Sequence, residues 1–239
     1  MTFHAHSSAR RIGGGFTLVE LLVVLAIIGL LVTVLSGVVM DGMVAGRQAS
    51  SSSNLRQIGQ ALRMFAQHHN GDYPQTTHGN AHEKSWIYTM APYLGDVDEV
   101  RICPADPQRR ARKGTASSSY MLNEYIAVAS HNPFTGTSED FTNERSITAP
   151  AQTHATFVAA DHIAIATSSD HTHSRGWTGG WSAVLADIQP DRFRRGDSNP
   201  GRTRGRSVYG FLDGHVEAID GAELKRRHAE NPAFARPPG

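Results

Sequence analysis

The sequence predicts an α+β fold in which one long N-terminal helix packs on a small antiparallel β-sheet head. Residues 16–40 are almost wholly apolar, and residues 55–65 place apolar side chains at helical spacing. The rest of the 239-residue chain holds short β-prone runs separated by polar turns. We expect 16–40 to be a transmembrane helix, 41–70 its amphipathic continuation and 71–231 a single globular head.

The apolar segment is long enough to cross a membrane. Between Phe16 and Met40 the only charge is Glu20, and about 20 apolar residues span a bilayer as a helix. Arg10 and Arg11 precede the segment, which predicts a cytoplasmic N-terminus and a head outside the inner membrane. A cleaved secretory signal peptide fits poorly, because the run is too long and its small residues come first.

Glu20 separates this segment from a plain membrane anchor, because a carboxylate within a span is costly and is usually retained for a purpose. The run from Gly15 through Phe16 to Glu20 resembles the processing segment of type IV pilins and type II secretion pseudopilins. The resemblance implies that a prepilin peptidase removes residues 1–15, cutting between Gly15 and Phe16, and methylates the new amino group of Phe16.

The position of Glu20 suits a role in assembly. A cleaved chain has a cationic amine on Phe16, and Glu20 lies one helical turn further on the same face. A buried carboxylate needs a partner, and its own amine is one candidate. The resemblance implies the amine of a neighbouring subunit instead, so that the pair sets the register of a fibre. Complementing the helix dipole remains an alternative.

The amphipathic part of the helix follows a segment that is poor in helix formers. Glycines and serines in 41–53 predict a softened or melted stretch. Beyond it an apolar stripe is formed by Leu55, Ile58, Leu62 and Phe65. The sequence His69-Asn70-Gly71 predicts the helix end. With the resemblance, this arrangement is pilin-like.

The head is expected to contain short elements. We predict a short helix within 81–94, strands within 119–128, 155–160, 163–167 and 183–188, surface loops at 132–145 and 168–181, and a helix over 222–229. Asp213-Gly214 between two β-prone runs predicts a hairpin with a type I′ turn. Three prolines predict a flexible tail over 232–239.

Parts of the head resemble pilin-like proteins abundant in planctomycete-type bacteria, which end in a His-x(9)-Asp-Gly motif. The pieces that match are Asn54–Gly59, Cys103–Asp106 and Asp213-Gly214. The family histidine falls on Thr203 here, so any role of that histidine is not carried over.

Composition argues against a nucleic-acid partner. The formal net charge is +1, and loss of Arg10 and Arg11 with the leader would bring it to about −1, so no general basic field exists. Six arginines between positions 192 and 206 are expected to form a solvated loop or a contact between subunits. Cys103 is the only cysteine and is expected to be buried rather than bridged or metal-bound.

We predict no catalytic residues, no metal and no cofactor. The thirteen histidines include clusters with aspartates, at Asp161-His162, Asp170-His171 with His173, and Asp213 with His215, but none has the paired spacing of a metal motif. Metal binding by converging loops stays open as an alternative. No Gly-x-Ser-x-Gly elbow is present. Trp177 and Trp181 either bind a sugar or partner or cover a small satellite core.

These expectations combine into a structural role. The chain would be a subunit of a type II secretion or type IV pilus-like filament, and not an enzyme. Its partners would be the prepilin peptidase, identical or homologous pilin-like subunits, the assembly platform and membrane lipid. The alternative is a membrane-anchored extracytoplasmic domain that binds a metal or glycan and never polymerises.

Overall fold

Helix α1, Leu18–His68, dominates the N-terminal part of the chain. The computed structural model describes residues 16–78, 81–131, 133–134 and 136–239. The chain divides into two compact units, residues 1–41 and 42–239. Residues 41–53 are helical throughout, so the predicted melted segment is wrong. Intrinsic propensity is overridden by packing, because Ser51 is fully buried within the second unit.

The described residues of the second unit form six strands and, besides short 3₁₀ turns, five further α-helices. The helices are α2 Trp86–Thr89, α3 Arg109–Arg112, α4 Glu124–Ala127, α5 Trp181–Asp187 and α6 Gly221–Glu230. The strands are β1 Tyr120–Leu122, β2 Ser130–His131, β3 Ser138–Glu139, β4 His154–Val158, β5 Arg206–Phe211 and β6 Val216–Asp220. Strands β1, β4, β5 and β6 form one antiparallel sheet in that order, and β2 pairs with β3.

One face of the four-stranded sheet receives the amphipathic part of α1. The predicted stripe is buried there against the inward-facing side chains of the strands. These sheet residues are Tyr120, Leu122, Val158 and Val208. A long N-terminal helix followed by a small antiparallel sheet confirms the predicted α+β, pilin-like class.

The other face of the sheet carries a second core. Phe157 and Tyr209 of the sheet meet Val184 of α5 and Leu224 of α6. Trp177 is buried in the same cluster, with Trp181 packed against it. Of the two interpretations of the tryptophans, the structure therefore shows the one in which they cover a core.

Several strand predictions fail in the head. Residues 183–188 fall largely in α5, because a short apolar run does not distinguish a strand from a helix packed on one face. Residues 163–167 have irregular structure. The run 119–128 is a strand only to Leu122. The Asn123 side chain then accepts a hydrogen bond from Tyr125 N and caps α4.

The C-terminal segment is docked rather than flexible, which corrects the prediction for 232–239. Ala235 is buried, and its carbonyl accepts a hydrogen bond of 2.7 Å from Asn123 Nδ2. Phe234 stacks on Trp177 with ring centroids 5.4 Å apart. Prolines lose little entropy on ordering and have no N–H to satisfy, so they suit a fixed segment of irregular backbone.

A β-bulge at the start of β4 places His154 in the second core. The register of β4 against β5 shifts between His154 and Thr156, so that His154 and Phe157 face the same side. The imidazole lies against Phe157, Phe211 and Phe234. Neither ring nitrogen has a hydrogen-bond partner among the described residues, and burial lowers the pKa of His154 to about 3.

This histidine makes stability depend on pH. An unfolded chain protonates a histidine near pH 6.5, whereas the folded chain keeps His154 neutral down to about pH 3. The stability gained by keeping His154 neutral is therefore complete above pH 6.5 and is lost as the pH falls. The free energy of unfolding should drop by about 2 kcal/mol between pH 7 and 5. We expect His154→Phe to remove this part of the pH slope, measured by urea unfolding at both pH values. An unchanged slope would show that His154 has the same pKa in the folded head as in the unfolded chain.

Candidate functional site

The start of α1 forms a closed local arrangement around Glu20. Thr17 N and Thr17 Oγ1 both donate to Glu20 Oε2, at 2.9 and 2.7 Å. In return Glu20 N donates to Thr17 Oγ1 at 3.2 Å. This reciprocal pattern is a capping box, with Thr17 as the N-cap and Glu20 three residues further on. The helix therefore starts where the cleaved chain would start, and Phe16 beside it is exposed.

Glu20 retains capacity for a second partner. Both hydrogen bonds from Thr17 use Oε2, and Oε1 accepts none from any described residue. The capping contact and a contact with an amine from another chain are therefore compatible. Gly15, the residue that the resemblance places before the cut, lies outside the described residues.

The first part of α1 has the properties of a membrane anchor. It is the one helix of the described residues that is long and apolar enough to cross a membrane, with a mean hydropathy of 3.0 over its most apolar window. None of that window is buried. Such an unpacked apolar surface fits a lipid environment.

The Asp213-Gly214 hairpin packs on the amphipathic part of α1, at Gly59. Gly214 has a φ of +92°, but Asp213 has no positive φ. The predicted type I′ turn is therefore wrong, and the loop is a type I turn closed by a glycine bulge. Asp213 Oδ1 accepts from His215 N at 3.0 Å, which fixes the turn locally. A Cβ on Gly59 would lie 3.2 Å from Gly214 Cα, so the missing side chain of Gly59 permits close helix–turn contact.

The Cys103–Asp106 segment lies in the core of the head. Cys103 is buried and receives a hydrogen bond from Ser51 Oγ of α1, and burial raises the pKa of its thiol. Asp106 pairs with buried Arg112 at 2.8 Å. The segment therefore fastens the loop before α3 to both α1 and the interior.

Half of the arginine cluster braces the head, which corrects the expectation of a solvated loop for those three arginines, while the other three are exposed. The guanidinium of Arg192 is buried, pairs with Asp161 and donates to Ala159 O at 2.6 Å. Arg202 donates to the carbonyls that end α5. Thr203, at the position of the family histidine, bonds with the side chain of Asn199.

Of the aspartate–histidine clusters, the pair Asp170-His171 is buried, His162 is exposed and His215 is half-buried. Asp161 pairs with Arg192 rather than with His162. Within the described ranges, no group of three or more His, Cys, Asp or Glu side chains is already arranged to hold a metal ion.

The sequence prediction did not include Thr17 as a partner of Glu20. The signal was present, because Thr-x-x-Glu immediately before an apolar helix is the sequence pattern of a capping box. His78, which contacts His171, gave no such signal, because the two residues are far apart in the chain.

The start of the chain matches a known protein family. Residues 10–36 match the family described as the prokaryotic N-terminal methylation motif, which is consistent with a type IV pilin-like prepilin segment. No curated protein and no solved structure gives a significant match to the chain.

Proposed function

We propose that this chain is a pseudopilin-like structural subunit, cut after Gly15, methylated on Phe16 and assembled through its N-terminal helix into a secretion or pilus-like filament. It has no catalytic role in this proposal. Before assembly it is held in the inner membrane, with its head outside the cytoplasm.

The observation that carries the proposal is the methylation motif at residues 10–36, coincident with the start of a capped apolar helix. The motif implies processing by a prepilin peptidase and pilin-type assembly. The geometry adds that Phe16 and Thr17 precede the first helical residue, Leu18. A cut before Phe16 would release an amine next to Thr17, whose own N–H bonds the Glu20 carboxylate.

An anchored domain that binds a metal or glycan shares the same membrane helix but needs neither processing nor Glu20. Each of those requirements therefore separates the two functions. The filament proposal also gives Glu20 a partner for Oε1, which the capping contact through Oε2 leaves open.

Processing is tested by the mass of the native N-terminus. We expect the wild-type chain to begin at N-methylated Phe16, and Gly15→Val to remain at full length, because a branched side chain blocks the residue before the cut. Intact-mass spectrometry of both proteins from membranes of a host with the peptidase measures this. Gly14→Val is the matched control and should be cleaved. A wild-type chain that still begins at Met1 would refute the proposal.

A further inference from the structure

Three histidines from two segments meet beside Asp170. His171 follows Asp170 directly, His173 comes two residues later, and His78 belongs to the segment after α1. The ring of His171 is 5.3 Å from that of His78 and 5.2 Å from that of His173, measured between centroids. All three histidines lie outside the segment from Gly15 to Glu20 that is proposed to act in processing and assembly.

Two of the imidazoles are oriented by carboxylates. His171 Nδ1 lies 2.7 Å from Asp170 Oδ1, and Asp170 is fully buried and also accepts from Ser85 Oγ at 2.6 Å. His173 Nδ1 lies 3.1 Å from Asp187 Oδ1. Since a carboxylate accepts, each Nδ1 carries the proton and each Nε2 presents a lone pair. Carboxylate–histidine pairs of this kind orient metal ligands in proteins.

The spacing between His78 and His171 suits a shared ion. His78 Nδ1 is 3.3 Å from His171 Nε2, which is longer than the usual hydrogen bond to nitrogen donors. Two nitrogens bound at 2.0–2.1 Å to a tetrahedral ion are about 3.3 Å apart.

His173 can supply a third ligand. His171 forms a bridge with Leu122 of β1, so the local backbone is extended and residues two apart lie on one side. The His173 side chain is largely exposed, with a relative accessibility of 69%. A small pivot of the ring about its Nδ1–Asp187 contact would bring Nε2 toward His171, keep that contact and displace no core residue.

We propose that His78, His171 and His173 bind a divalent transition metal ion, with zinc as the expected occupant. Three imidazoles favour zinc, copper or nickel over calcium or magnesium. The fourth position would face solvent, since His78 and His173 are both exposed. The ion would join the segment after α1 to the segment that precedes α5.

The test is zinc binding by the full chain, purified in detergent through a tag without histidine and stripped with a chelator. We expect isothermal titration with Zn²⁺ to give one tight site that His78→Ala and His173→Ala each weaken at least tenfold. Co²⁺ should give the visible absorption of a tetrahedral ion in the wild type and in His215→Ala, but not in His78→Ala or His173→Ala. His215→Ala is the matched control, because the His215 side chain is 38% accessible and has its Nδ1 2.5 Å from an aspartate.

Equal affinity in the wild type and in either of the two alanine variants would overturn the three-histidine site, as would an equal loss in His215→Ala. The side chains of His78 and His173 are exposed, so both variants should fold. Near-ultraviolet circular dichroism of the tryptophans checks this. The result does not depend on the filament proposal, because the readout is metal binding alone.

Discussion

A subunit with Glu20→Ala is expected to insert into the membrane normally but to be lost from the assembled filament. Removing a carboxylate from an apolar segment makes insertion easier, so poor insertion cannot explain the loss. The head should be unaffected, since Glu20 bonds only Thr17 among the described residues. We expect at least a tenfold fall in incorporation, measured by the sheared-filament fraction against total membrane subunit.

Two further variants separate the roles of Glu20. Glu20→Gln keeps an oxygen that can accept from Thr17 N but removes the charge. Thr17→Ala removes the cap but keeps the charge. If the carboxylate pairs with an amine of a neighbouring chain, Gln should fail like Ala, while Thr17→Ala should still assemble. Normal assembly by Glu20→Gln would show that capping is the only role of this side chain.

Helix α1 could be predicted from the sequence because its signals are local. A continuous apolar run and a stripe with helical period each depend on neighbouring residues, and α1 follows both. The prediction of a melted segment over 41–53 was wrong because the helix there depends on distant contacts. Ser51 is a poor helix former in isolation, but here it is buried with its hydroxyl 2.8 Å from Tyr120 Oη, a contact that no local pattern reveals.

The head was harder to predict because its organisation depends on distant contacts. Residues 232–239 were expected to be flexible on composition, but Asn123 holds the carbonyl of Ala235 from another part of the chain. The hairpin position could be predicted from Asp213-Gly214, whereas its turn type could not. A three-residue loop with one positive φ and a two-residue loop with two are both compatible with that dipeptide.

The Asp106–Arg112 pair should dominate the stability of the head. Asp106 Oδ2 is 2.8 Å from Arg112 Nε and accepts from Ser119 Oγ at 2.6 Å. Arg112 also donates to Ile163 O at 3.0 Å, and its side chain is 1% exposed. Removing one member of a buried pair leaves an uncompensated charge and costs about 3–5 kcal/mol. We therefore expect Asp106→Ala to lower the free energy of unfolding by this amount.

The double variant Asp106→Ala with Arg112→Met decides whether the cost comes from the stranded charge. Because methionine fills much of the space and needs no partner, the double variant should be more stable than Asp106→Ala alone. Urea unfolding of the full chain in detergent measures this through tryptophan fluorescence, since all three tryptophans lie in the head. Glu223→Ala, which breaks an exposed pair with Arg226, is the control and should change little. If the double variant is no more stable than Asp106→Ala, Asp106 acts through its bonds to Ser119 and Gln108 N rather than by neutralising Arg112.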